Sequence, residues 1–165
     1  MTKKEFLENA LKGGGLKGNI YTSMKELKHA TGTQYGAVLR AADRPVRASS
    51  KKTYRDQEGA TIVRNKLYEC ETVYNVVIAG TSEEIIETIL EGFLANLGKG
   101  YYDAGGNWVE VTPKETDWVD EDDCVMKSKI AVQIQVNCRY GIYRDKATDA
   151  TIEGADIQFG GENDE

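Results

Sequence analysis

The chain has 165 residues, 40% of them hydrophobic and 29% charged, which is one domain's worth of ordinary soluble sequence. The net charge of -6 hides an asymmetry: residues 1 to 66 carry 14 Lys and Arg against 6 Asp and Glu, a balance of +8, and the remaining 99 carry 7 against 21, a balance of -14. No apolar run approaches the roughly 20 residues of a membrane span, the first residues lack the apolar core of a signal peptide, and three cysteines without a Cys-x-x-Cys pair suggest neither a disulfide framework nor a zinc site. These features lead to the expectation of a cytoplasmic product with free, buried thiols.

Thr2-Lys-Lys-Glu5 is a capping box ahead of Phe6, Leu7, Ala10 and Leu11, so a short helix is expected to stop in the Gly13-Gly-Gly15 run, read as a flexible connector. A second box, Ser23-Met-Lys-Glu26, predicts a short helix through Ala30. Gly36-Ala-Val-Leu-Arg40 is better read as a strand than a helix. The stretch from Arg44 to Arg55 is basic and polar without apolar alternation, and is expected to be an exposed arm or loop. After a turn at Asp56-Gln-Glu-Gly59, the chain from Thr61 to Ala79 is rich in Val, Ile, Tyr and Thr for longer than a usual strand of about 5 to 6 residues. Either one projecting strand or two strands joined by a bulge fits.

Next, Thr81-Ser-Glu-Glu84 predicts an N-cap at Thr81, and Ile85, Ile86, Ile89, Leu90, Phe93, Leu94 and Leu97 fall on one half of a helical wheel. Gly98 stands where a left-handed cap is expected. Tyr101 to Val111 reads as two short strands around an Ala104-Gly-Gly-Asn107 turn, and Thr112 to Asp123 as an acidic linker. From Ile130 to Tyr140 every second residue is apolar, with Gln133, Gln135, Asn137 and Arg139 between them: a strand with one buried face. The residues from Lys146 onwards have the composition of a mobile acidic tail. The expected fold is α+β: a mainly antiparallel or mixed sheet, one long amphipathic helix over about residues 81–97 packed on one face, short N-terminal helices and an extended arm. A single domain over residues 1–145, followed by the tail at 146–165, is the expected organisation.

The search for chemistry returns little. His29 has no cysteine and no carboxylate at ligand or triad spacing, and Gly13 to Gly18 follows a helix and lacks the Gly-Lys-Ser/Thr ending of a phosphate loop. The cluster Asp117, Asp120, Glu121, Asp122 and Asp123 lacks EF-hand spacing. No catalytic, metal or cofactor residue is identified, and no enzymatic activity is expected. The basic arm, with Tyr54 inside it, has the charge to meet either phosphate oxygens or an acidic protein surface.

The wording of Tyr68-Glu-Cys-Glu-Thr-Val-Tyr-Asn-Val-Val-Ile-Ala-Gly80, the helix after it, Gly106-Asn-Trp-Val-Glu-Val-Thr-Pro113, Trp118, and the ending Gly141-Ile-Tyr-Arg-Asp145 resembles the phage tail terminator, or tail completion, proteins. The resemblance covers about residues 36 to 145. It implies a sheet with helices packed on it and a homohexameric ring that caps the head-proximal end of the tail tube. Such a ring ends tube polymerisation and joins the tail to a neck or connector protein. The implied partners are further copies of the chain, the tube protein and the neck; genome DNA passes through the lumen without specific binding, no membrane is involved, and no cofactor is implied. Localisation is then the virion tail, after assembly in host cytoplasm. The candidate interface residues are Arg44, Arg47, Lys51, Lys52 and Arg55 in the arm; Asp117, Asp120, Asp122 and Asp123 in the acidic loop; and Tyr143, Arg144 and Asp145. A head-tail joining protein and a nucleic-acid-binding accessory protein stand as alternatives.

Overall fold

The computed structural model describes residues 1–119 and 130–148. The acidic positions Asp120, Glu121, Asp122 and Asp123, the thiol of Cys124 and the tail beyond Thr148 lie outside the described residues. The chain runs through α1 (Lys3–Gly13), β1 (Ile20–Tyr21), α2 (Met24–Leu27), β2 (Tyr35–Arg47), β3 (Lys51–Arg55), β4 (Thr61–Gly80), α3 (Glu83–Leu97), β5 (Gly100–Tyr102), β6 (Trp108–Val119) and β7 (Ile130–Thr148). The fold is mostly β: a curled, half-barrel sheet with a few helices.

The strand order is β1-β2-β4-β7-β6-β5, with β3 paired to β4 beyond the end of β2. Among the described residues, only β1 and β2 run parallel. The spine is the antiparallel pair β4 and β7, in register from Thr61↔Thr148 to Gly80↔Ile130. β4 is one strand of 20 residues carrying a register shift at Lys66/Tyr68, so the long strand and the bulge are both present.

Alternation sorts the apolar side chains. On one face Tyr74, Val76 and Ile78 of β4 join Val132, Ile134, Val136 and Cys138 of β7, with Val38, Val109 and Val111 beside them. Leu7, Ala10 and Leu11 of α1 and Ile86, Ile89, Phe93 and Leu97 of α3 close over that face. Each of the four α3 side chains contributes about 1.5–3 kcal/mol by burial, before the entropy of ordering it. On the opposite face a smaller cluster forms where Leu27 of α2 covers Tyr35, Ala37, Val77, Ala79 and Ala131. The intervening β7 residues Gln133, Gln135 and Asn137 on that face stay half-exposed.

Local signals place the helix ends. Thr2 caps α1 with its reciprocal partner Glu5, and Ser23 caps α2 through the backbone N–H of Glu26. α2 ends at Leu27, short of Ala30. The cap of α3 is Ser82, not Thr81: its hydroxyl accepts from the N–H of Ile85, so the helix starts one residue later. Gly98 takes a positive φ of 56°, but its ψ of -158° is extended rather than left-handed helical. The Gly13–Gly15 run is not simply a connector. A Cβ on Gly14 would sit 2.5 Å from the backbone N of Phe93, and one on Gly92 2.5 Å from the carbonyl O of Gly14, so α1 and α3 cross in backbone contact.

Two stretches expected to be irregular are strands. Arg44–Arg47 continues β2 and Lys51–Arg55 forms β3, both paired to β4. Thr112–Val119 continues β6 against β7 with a shift at Pro113/Thr116. The physical reason is the same in both. Apolar alternation reports a strand with one face buried, and every residue of β3 and of the 43–47 segment of β2 is exposed. Likewise β7 continues to Thr148, through residues whose composition had suggested a tail.

Candidate interaction surface

Beyond the core, β3, the first half of β4 and the last part of β7 form a three-stranded ribbon. None of residues 61–69 of β4 or 141–148 of β7 is buried, and β3 is exposed throughout. Main-chain bonds carry the ladder across the break between β2 and β3: Ala48 N–H donates to Leu67 O at 3.0 Å and Lys66 N–H to Ser50 O at 2.9 Å. At the tip, the Asp56 carboxylate accepts from the N–H of Glu58 and Ala60, and Gly59 supplies φ of 86°.

One side-chain network ties the ribbon together. Arg64 on β4 donates from Nε to Asp145 Oδ1 at 2.8 Å and from Nη2 to Asp145 Oδ2 at 2.7 Å, a two-point pair. Its Nη1 donates to Asn107 Oδ1 at 3.2 Å, reaching the turn between β5 and β6. Tyr54 of β3 donates its hydroxyl to Asp145 at 3.1 Å, and the guanidinium carbon lies 5.2 Å from the Tyr54 ring and 5.5 Å from that of Tyr143. The Arg64 guanidinium holds the Asp145 carboxyl below the usual carboxylate range, and Tyr54 adds to that effect. Asp145 in turn raises Arg64. A pocket of about 260 Å³ opens here between Lys52, Arg64, Lys66, Asn107, Trp108 and Tyr143. Its basic look is deceptive, because Arg64 is committed to Asp145 and Lys66 to Glu69.

The arm and the Tyr143–Asp145 segment, read separately from sequence, therefore meet: Lys51 pairs with Asn65 and Asn65 with Arg144, while Lys52 pairs with Arg64 and Arg64 with Asp145. Arg44 lies farther down β2, 3.4 Å from Glu71. Among the described residues, Arg47, Lys51, Lys52 and Arg55 have no ion-pair partner. Asp117 is not part of this group; it faces Gln133 near the other end of β7, about 40 Å along the strand from Asp145. Arg64 and Asn107 escaped the sequence reading because their partners are 81 and 43 residues away, and no local pattern marks such pairs.

A second charged surface lies on α3. Glu83, Glu84, Glu87 and Glu91 are all exposed, α3 has no basic residue, and none of the four is ion-paired among the described residues. Ile85 and Leu94, expected in the buried stripe, are 42% and 40% exposed. His29 is exposed, and the described residues contain no group of His, Cys, Asp and Glu able to hold a metal. Among the described residues no helix is long and apolar enough to cross a membrane.

The described residues thus present an exposed ribbon with more cationic than anionic side chains, beside a sheet backed by helices. The fold is shared with a solved structure titled as the sheath/tube terminator, in the extended state, of the extracellular contractile injection system PVC. The likeness has a TM-score of 0.53 at 10% sequence identity and covers 98% of this chain, which spans 62% of the length of that terminator. At that identity the likeness concerns the fold, which is terminator-like. No protein-family model and no curated protein sequence matches the chain.

Proposed function

We propose that the chain is a structural tail-terminator subunit of a phage or phage-tail-like particle. It assembles as a ring, a hexamer by the resemblance, on the head-proximal end of the tail tube, ends tube polymerisation there and offers a surface to the neck or connector. The observation that carries this reading is the terminator-like fold extending over 98% of the chain. The exposed ribbon supports it, because a strand ladder without a covering layer is a surface awaiting a partner. A ring needs two different patches on each subunit, and the cationic ribbon and the acidic helix are two such patches. DNA passes the lumen without specific contact. The nucleic-acid-binding alternative loses two of the ribbon's cations, Arg64 and Lys66, which are already neutralised by carboxylates.

The test is assembly. The purified chain, alone and with its tube protein, is expected to give rings in negative-stain micrographs and tube ends capped by them. A chain that remains monomeric in light scattering with tube protein present overturns the reading. Co-purification with a connector but not with the tube would favour a head-tail joining protein instead.

A further inference from the structure

We propose that the cationic arm of one copy docks on the acidic flank of α3 of a second copy; the inference rests on the ring reading and names its contact. At 100° per residue, Glu83, Leu94, Glu87 and Glu91 fall within one 80° sector of the helix, beside the buried sector of Ile86, Ile89, Phe93 and Leu97. Glu83, Glu87 and Glu91 are spaced i, i+4, i+8, the arrangement in which like charges disfavour the helix that carries them. Glu83 and Glu84 are favoured by the helix N-terminus, but Glu87 and Glu91 lie beyond its reach. The exposed Leu94 sits in their midst. This flank is a rigid anionic surface with an apolar centre, and its charges lack counterparts among the described residues.

The counterparts exist on the same chain but out of reach. Arg47, Lys51 and Arg55 are exposed and unpaired among the described residues. β3 is clamped to β4 opposite residues 61–65, whereas α3 packs over Val76 and Ile78 of the same strand, about 40 Å further along. An arm held in that ladder cannot fold back on its own helix. Arm-to-arm pairing is opposed too. The open edge of β7 beyond Arg139 carries Arg144 and Lys146, the same sign as β3, which blunts strand addition. The complementary surface for the arm is α3 of another copy, a heterologous contact of the kind that closes rings.

The experiment is a charge swap in the full chain. Lys51→Glu with Arg55→Glu reverses the arm on the strand face away from Tyr54 and Arg64. Glu87→Lys with Glu91→Lys reverses the helix flank. Each reversed chain is expected to lose self-association by roughly tenfold or more in dissociation constant, measured by analytical ultracentrifugation. An equimolar mixture of the two is expected to reassemble, because each reversed arm then meets a reversed helix and each native arm a native helix. Restoration by mixing also shows that both variants are folded. Unchanged association of either variant, or a mixture that stays dissociated while wild type assembles, overturns the contact and leaves the ring reading standing. A wild-type chain that stays monomeric with tube protein present overturns both.

Discussion

Gly92 sits inside α3, where replacing glycine by alanine in a free helix gains about 1 kcal/mol. In this fold Gly92→Ala should do the reverse. The added Cβ would lie 2.5 Å from Gly14 O, 2.8 Å from its Cα and 3.0 Å from its carbonyl carbon. All three are backbone atoms, so no side chain can rotate away. Relief requires α1 to lift from α3 by several tenths of an ångström, which loosens Leu7 and Leu11, both 0% exposed, and Ala10 at 4%. Overpacking of a close contact costs about 1–3 kcal/mol, and a backbone-to-backbone contact belongs at the upper end. With the propensity gain subtracted, a net loss of about 1–2 kcal/mol is expected, read as a lower urea midpoint at unchanged slope. Thr88→Ala, on the exposed side of the same helix, is the control and should be neutral or slightly stabilising. If Gly92→Ala instead stabilises by about 1 kcal/mol, the two helices do not touch there and the crossing is wrong.

Arg64→Ala should leave the core intact while amides of Lys51–Arg55 and of the end of β7 exchange about tenfold faster; hydrogen exchange by mass spectrometry checks this, and unchanged protection would remove Arg64 from its anchoring role. The Asp145 carboxyl is depressed in the folded state, so its contribution is present above the unfolded value of about 3.9 and is lost as pH falls through the lower folded value. Ribbon protection should therefore drop in wild type below about pH 4, and Asp145→Asn should flatten that dependence; parallel curves for the two proteins would contradict it. Burial pushes the Cys138 thiol up to about 11 and leaves it 0% exposed, so peptide mapping after iodoacetamide at neutral pH should find Cys138 unmodified until denaturant is added.

Much of this molecule is written locally. The capping boxes at Thr2 and Ser23, the alternation from Ile130 to Tyr140 and the Asp56–Gly59 turn each state their own conformation within a few residues, because caps, turns and one-sided burial are short-range effects. The charge asymmetry was equally legible. What the tertiary structure alone decided concerns long-range pairing. Residues 43–47, 51–55 and 112–119 are strands only because β4 and β7 offer them ladders, and no periodicity marks a strand wetted on both faces. The one-residue shift of the cap from Thr81 to Ser82 and the exposure of Leu94 were visible only in the folded chain. The union of Arg64, Asp145, Tyr54 and Asn107 likewise depends on a register that no stretch of sequence contains. Sequence supplied the charges; the register of β4 decided that those of the arm lie about 40 Å along the sheet from those of α3 within one subunit.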